Sequence, residues 1–109
     1  MISVRFLKNQ NDIVFMEAKG HAEFDEYGKD IVCSAVSVLA IAVSNGITEV
    51  LHFKPIVSVN EDGFLSINIK SLPSDQIKAC QVLMETLLLG LKGIENNYGE
   101  YIKVEVEEV

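Results

Sequence analysis

The chain has 109 residues, of which 49% are hydrophobic and 23% are charged. This length and composition predict a single folded domain over residues 1–109, with a core of its own, and exclude a disordered protein. The formal net charge of −7 argues against a direct nucleic-acid partner, because phosphate binding depends on Lys and Arg, and it suits a basic protein partner.

The apolar pattern and the few cysteines argue against membrane, secreted and metal-binding proteins. The longest apolar run, 31–43, is interrupted by serines and is shorter than the roughly 18 residues of a membrane span. The opening residues lack the basic segment of a secretory signal. Cys33 and Cys80 are far apart, which favours reduced thiols, and with His21 and His52 they show none of the usual zinc spacings. We therefore expect a cytoplasmic protein without membrane, metal or cofactor.

The first 19 residues predict an antiparallel hairpin. Apolar residues alternate with others at the start of the chain: Ile2, Val4 and Phe6. Residues 9–12 form a turn cluster, because Asn and Asp side chains bond the nearby backbone and tolerate left-handed conformations. The second strand is expected over 13–19, and Gly20 and His21 follow at its end.

An acidic loop is predicted after the hairpin. Residues 22–29 have no hydrophobic period and contain the aromatic residues Phe24 and Tyr27. Loops of this length often cover binding sites. Gly20 and Gly28 bracket the loop, and either can act as a hinge.

An apolar helix is expected from Ile31 to about Leu51, with Asp30 as its N-cap, because a carboxylate accepts from exposed backbone amides at the positive end of a helix. As far as Val43 the helix is apolar on nearly every side. Such a helix is usually central and buried.

Two strands, a helix and a final strand complete the chain. Strands are expected over 55–60 and 64–70, and Asp62-Gly63 between them is a strong hairpin signal. Apolar residues at i, i+3, i+4 and i+7 predict a helix that has Ser71 or Ser74 as its N-cap and ends at about 96, and alternation predicts a strand over 102–106. The order β-β-α-β-β-α-β predicts an α+β fold, a mostly antiparallel five-stranded sheet with two helices on one face.

Cys33 is the first candidate for chemistry. As the third residue of the predicted helix it would lie where the helix dipole stabilises a thiolate, the nucleophilic form of cysteine. Backbone amides around Cys33 and Ser34 would then be available to an oxyanion. The alternative is a small residue buried in an apolar helix, and the helix pattern alone leaves both open.

His21 strengthens the catalytic interpretation, because a nearby histidine can take the cysteine proton and return it to a leaving amine. The alternative is a surface histidine at a strand end. Asp30 either caps the helix or orients the imidazole, or does both. Ser37 lies one helical turn after Cys33 and bonds either within the site or to its own helix. Cys80, on the apolar stripe of the second helix, is expected in the core.

These residues resemble the signature of the ribosomal-processing cysteine protease family Prp. The resemblance is carried by Gly20-His21-Ala22, a short loop with Gly28, and Asp30-Ile31-Val32-Cys33-Ser34-Ala35-Val36-Ser37. It implies a catalytic dyad of Cys33 and His21, with Asp30 and Ser37 as the motif aspartate and serine. The family commonly has alanine directly after the cysteine, where this chain has Ser34.

The resemblance also implies a function. Members of this family are cysteine endopeptidases that remove an N-terminal extension, after an aromatic residue, from ribosomal protein twenty-seven of the large subunit during ribosome maturation. The family further implies a homodimer and a loop after the histidine that folds over the substrate. Phe24 and Tyr27 would contact the substrate or pack the loop. Two alternatives stay open: a non-catalytic ribosome-associated assembly or interaction module, and a thiol redox sensor.

Overall fold

The structure, a computed structural model, describes residues 1–20, 27–61 and 63–109, with the backbone alone for 27–30. Its elements follow the expected order. They are β1 (Ile2–Asn9), β2 (Asp12–Lys19), α1 (Tyr27–Asn45), a π-helical turn (Gly46–Val50), β3 (Ile56–Val59), β4 (Phe64–Asn68), α2 (Ser74–Tyr98) and β5 (Ile102–Glu108).

The five strands form one sheet in the order β3-β4-β2-β1-β5. The pairs β1–β2, β2–β4 and β3–β4 are antiparallel, whereas β1–β5 is parallel. The predicted α+β fold is confirmed, with a mixed sheet as the one change in detail. β4 already runs in the direction of β1, and the α2 crossover returns the chain to the end of the sheet where β4 began, so β5 must run parallel to β1.

One face of the sheet is buried beneath both helices. The register sets Val4 opposite Ala18 and Phe6 opposite Met16, and all four side chains are buried. α2 adds five buried residues, Cys80, Met84, Leu87, Leu88 and Leu91. The alternation in β1 and the helical period in α2 therefore mark the faces that form the core.

The opposite face of the sheet is charged, and no helix in the described part of the chain packs over it. The Arg5 guanidinium contacts the Glu17 carboxylate, with 2.9 Å between Nη2 and Oε1. Lys103 and Glu105 pair on β5 at 3.2 Å. The apolar core of the fold therefore lies between the sheet and the two helices.

α1 begins one turn earlier than the sequence predicts. Its first residue is Tyr27, so Gly28, expected in the loop, and Asp30, expected as the cap, both have helical backbone. Cys33 is consequently the seventh helical residue and not the third. The prediction was wrong because aspartate is favoured in the first turn of a helix as well as at the N-cap, so Asp30 does not fix which residue begins the helix.

The apolar segment that begins in α1 continues through the π-helical turn and is longer than the run seen in the sequence. By length and composition, Ile31–Val50 could cross a membrane, although the central helix of a globular domain meets the same criteria. One side of this segment packs into the core through Val32, Val36, Ala40, Val43 and Ile47. The expectation of a buried helix is therefore correct for this side only, because Ile31, Val38 and Ile41 on the remaining surface are exposed.

Two glycines join the β3–β4 hairpin to the end of β2. The Gly20 amide donates to the Gly63 carbonyl at 3.1 Å. Gly63 has a φ of +83°, and a Cβ there would collide with the carbonyl oxygen of Gly20. Glycine is required because it alone adopts this conformation without strain and leaves room for the neighbouring backbone. The contact fixes the backbone directly before His21.

We predict that Gly63→Ala lowers the free energy of unfolding by about 1–3 kcal/mol, because it forces a side chain into a left-handed conformation against backbone. Urea denaturation followed by circular dichroism measures the change. Gly93→Ala is the matched control, since no atom lies within 4 Å of a Cβ at Gly93 inside α2. That control should raise stability by about 0.4–1 kcal/mol. Equal midpoints for Gly63→Ala and the unmodified chain would contradict the role of this contact.

The second prediction concerns Cys80, which is fully buried. Burial raises the pKa of the Cys80 thiol above its ordinary value. Above about pH 8.5 the unfolded chain therefore releases this proton before the folded chain does. The folded state then holds more protons, so stability falls as pH rises towards the folded pKa, by at most about 1.4 kcal/mol per pH unit.

Urea midpoints measured from pH 7 to pH 10 test this dependence. In Cys80→Ala the fall of the urea midpoint with rising pH that this thiol causes should be absent. Cys33→Ala leaves Cys80 in place and should show the same fall as the unmodified chain. Identical slopes in Cys80→Ala and the unmodified chain would rule out Cys80 as the titrating group.

Candidate active site

A cavity of about 130 Å³ opens between α1, the end of β2 and the β3–β4 hairpin. None of the described residues that line it is charged. They are Ile2, Ala18, Gly20, Cys33, Val36, Ser37, Ile41, Val59, Asn60, Gly63, Phe64 and Leu65. A mostly apolar wall with a few polar groups is the usual lining of a binding site for an uncharged group.

α1 supplies a line of residues to this cavity. Cys33, Ser37 and Ile41 follow one another at intervals of four and so lie along one side of the helix. Cys33 is a free thiol, partly exposed and partly packed against the core, whereas Ser37 is exposed. Cys33 and Ser37 share a wall of the cavity, as their spacing predicts.

The end of β2 forms the opposite side. Gly20 lines the cavity, held by its bond to Gly63. A Cβ at Gly20 would lie only 2.8 Å from Cγ1 of Ile2, so the chain passes very close to β1 here. Gly20 is the last described residue before His21.

Several predicted site residues are not placed by the structure. His21 and Phe24 lie outside the described residues. Tyr27, Gly28 and Asp30 have helical backbone, and their side chains are not described. The pairing of Cys33 with His21 and the roles of Asp30 and the aromatic residues therefore stay predictions.

The predicted use of helix-start amides for the oxyanion is wrong in this conformation. In an α-helix only the first four N–H groups lack a partner, and each later one donates to the carbonyl four residues before it. With α1 beginning at Tyr27, the amides of Cys33 and Ser34 belong to the second turn and donate within the helix. Ser34 is exposed and does not line the cavity.

The contribution of the β3–β4 hairpin was missed from the sequence. Val59, Asn60, Gly63 and Phe64 line the cavity. Asn60 closes the turn with two hydrogen bonds to Phe64. Its backbone N–H donates to the Phe64 carbonyl at 3.0 Å, and its side-chain Oδ1 accepts from the Phe64 backbone N–H at 3.3 Å. The Asp62-Gly63 signal predicts this hairpin, but nothing local to it predicts the sheet order that sets it beside Gly20.

Cys80 and potential metal ligands lie apart from this cavity. Cys80 is a free thiol in the core, as expected, and is absent from the cavity lining. Among the side chains that the structure describes, those of residues 1–20, 31–61 and 63–109, no group of three or more His, Cys, Asp or Glu is arranged to hold a metal ion.

Sequence comparison relates the chain to one family. The family model described as Cysteine protease Prp matches residues 1–103. The ribosomal processing cysteine protease Prp of Bacillus subtilis is 31% identical over 94 residues, which cover 84% of each chain. The protein of the same name from Mycoplasma genitalium is 32% identical over 109 residues, covering 98% of this chain and 97% of that protein.

Solved structures agree with the sequence comparison. A Streptococcus mutans protein matches with a TM-score of 0.90 and 26% identity, over 100% of this chain and 96% of that chain. The Staphylococcus aureus ribosomal processing protease Prp, in complex with a substrate peptide, matches with a TM-score of 0.85 and 26% identity, over 97% and 99% of the two chains. The same protease with a covalently linked product peptide has a TM-score of 0.81 and 28% identity over the same shares. Similar in sequence and fold over nearly its whole length, this chain belongs to the Prp family of ribosomal-processing cysteine proteases.

Proposed function

We propose that this chain is a cysteine endopeptidase that removes an N-terminal extension from ribosomal protein twenty-seven of the large subunit during ribosome maturation. One observation carries the proposal: the Cys33 thiol lies on the wall of an uncharged cavity in a chain that belongs to a cysteine protease family. The relative with a covalently linked product peptide supports a covalent mechanism for this chain.

In the first half of the proposed reaction His21 takes the Cys33 proton, and the sulfur attacks the scissile carbonyl carbon. The tetrahedral intermediate collapses to a thioester when the C–N bond breaks and His21 gives its proton to the leaving amine. In the second half His21 takes a proton from water, which attacks the thioester. The carboxylic product leaves, and a proton returns to the Cys33 sulfur.

The structure of α1 restricts how the other groups can act. Since the amides of Cys33 and Ser34 donate within α1, the donors for the oxyanion must come from other groups at the cavity. The helical backbone at Asp30 also removes its proposed role as N-cap. We propose that Asp30 orients the His21 imidazole and that the exposed Ser37 hydroxyl bonds the substrate beside Cys33.

The proposed substrate is consistent with the charge and lining of the chain. A net charge of −7 attracts a basic ribosomal protein over long range. The cavity beside Cys33 has no charged residue in its described lining, so an aromatic side chain next to the scissile bond would bury its apolar surface there.

A specific observation also favours the second candidate, a non-catalytic ribosome-associated assembly or interaction module. Cys33 lies inside α1 and packs partly against the core, as a structural cysteine would. Alkylation separates the candidates. A nucleophilic Cys33 should react with iodoacetamide in the native protein, whereas the buried Cys80 should react only after unfolding.

We predict that Cys33→Ala reduces cleavage at least about a thousandfold, because the covalent intermediate cannot form. The assay is incubation with the extended ribosomal protein and mass measurement of the products. His21→Ala should cause a loss of similar order. Cys80→Ala is the matched control, since it removes the other thiol, which lies in the core, and should retain cleavage. Full activity in Cys33→Ala, with the fold intact by circular dichroism, would refute the proposed nucleophile.

We also propose that the protein forms a homodimer in the cytoplasm, with α1 in the interface. The support is an outer surface of α1 on which Ile31 and Val38, seven residues apart, are exposed and which a second copy would cover. Val38→Glu should shift the protein from dimer to monomer in sedimentation equilibrium, because it would bury a charge. The exposed Val82→Glu on α2 is the control. A monomer in the unmodified chain at micromolar concentration would exclude this dimer.

A further inference from the structure

The edge strand β3 is an open side of the sheet next to the candidate active site. Among the described residues no strand pairs with its outer side. All four of its residues, Ile56–Val59, are exposed, and none is charged. Exposed, uncharged edge strands are uncommon in soluble proteins because they accept additional strands.

The hydrogen-bond register shows which backbone groups face outward. Asn60 donates to the carbonyl of Phe64, and in an antiparallel pair bonded and non-bonded positions alternate. The register Ile56↔Asn68, Val57↔Ile67, Ser58↔Ser66, Val59↔Leu65 continues from this bond. Val57 and Val59 are therefore non-bonded positions, and their N–H and C=O groups point away from β4.

The side chains of these two valines point towards the helix side of the sheet. Their partners, Ile67 and Leu65, are buried on that side. Val57 and Val59 remain 38% and 63% exposed, since α1 does not cover them. Val59 also lines the cavity that contains Cys33. The two valines thus extend the apolar lining of the cavity along β3, and we call this exposed apolar strip, from Val57 to the cavity with Cys33, the groove.

We propose that the substrate binds as an added strand on β3, with its backbone bonded to Val57 and Val59 and alternate side chains in the groove that leads to Cys33. This inference rests on the proposed peptidase function and specifies how that site holds its substrate. Pairing with a sheet edge takes an extended chain of any sequence, and the pockets below alternate positions select the side chains. The occupant is therefore an extended, uncharged, apolar segment of the ribosomal precursor.

The charges at the site favour this occupant. The described cavity lining and β3 carry no charge, so a charged side chain entering the groove would lose its hydration without gaining a partner. The basic remainder of the ribosomal protein would lie outside the groove, towards the acidic surface of the chain.

A proline at Val57 tests the added strand. It removes an N–H that β4 does not use, and proline is tolerated on an edge strand when its missing N–H faces outward. We expect Val57→Pro to raise KM about 10-fold with little change in kcat, because the lost bond holds the substrate equally in the ground and transition states.

Val106→Pro is the matched control. β5 is the opposite edge strand, and Val106 is also 38% exposed. The Ile2 N–H donates to the Tyr101 carbonyl, and the Val109 N–H donates to the Lys8 carbonyl. The odd-numbered residues of β5 therefore bond to β1 in this parallel pair, so the N–H of Val106 points away from β1. This variant should retain the KM of the unmodified chain. Thermal denaturation confirms that both variants fold.

A second measurement needs no change in the protein. A peptide with the sequence of the precursor's N-terminal extension is synthesised with one backbone N-methyl group at each position in turn. Binding to Cys33→Ala protein, read by fluorescence anisotropy, should weaken about 2- to 12-fold at every second position of the paired segment. The positions between them should bind as the unmethylated peptide does.

The outcomes separate the added strand from the proposed function. If binding weakens at every second N-methylated position but the unmodified chain does not cleave the precursor, the added strand is supported and the proposed peptidase function is overturned. Cleavage with an unchanged KM in Val57→Pro and no alternation would overturn the strand and leave the peptidase. A loss of dimer in Val57→Pro, with KM unchanged, would assign β3 to contacts between copies and also overturn the proposal.

Discussion

The packing of α1 against the sheet determines where the candidate catalytic groups lie. Val32, Val36 and Ala40 are buried against the sheet, and full burial of a valine side chain contributes about 1.5–3 kcal/mol. This burial fixes the rotation of the helix about its axis. The residues that follow each of them, Cys33, Ser37 and Ile41, are then turned by about 100°, to the border between core and cavity. The partial exposure of Cys33 is a direct result of the core packing.

The second wall of the site depends on backbone and not on side chains. A Cβ at Gly63 would collide with the carbonyl of Gly20, and a Cβ at Gly20 would collide with Ile2. The Gly20 amide also donates to the Gly63 carbonyl. The hairpin is thereby attached to the chain just before His21. A wall fixed in this way leaves the side chains of Val59 and Phe64 free to define the shape of the cavity.

The parts of the structure that could be predicted from the sequence have a local physical cause. The alternation of Ile2, Val4 and Phe6 and the helical period of α2 arise from burial on one face, and both elements were predicted. The N-cap of α2 was wrong, because Pro73 and neither expected serine occupies it. Cys33 and Ser37 share a wall because residues four apart share a side of a helix. The turn at Gly63 was predicted because aspartate and glycine accept positive φ.

The remaining features depend on distant or competing effects. The start of α1 was misplaced because Asp30 suits the cap and the first turn equally well. The parallel pairing of β5 and the position of β3–β4 beside β2 follow from the whole sheet order, which no local pattern contains. The contribution of Val59 and Asn60 to the site could not be predicted for the same reason.

The uncovered β3 edge also has a consequence for the behaviour of the protein in concentrated solution. An uncharged, valine-rich edge is prone to pair with the same edge of another copy and to begin aggregation. Lys54 and Pro55 stand directly before this strand. A positive charge and a proline next to an apolar strand act as gatekeepers, since the charges of stacked copies repel and proline cannot extend the ladder. The chain therefore keeps a short edge strand that can pair with another strand, and Lys54 and Pro55 limit the extension of that pairing to further copies.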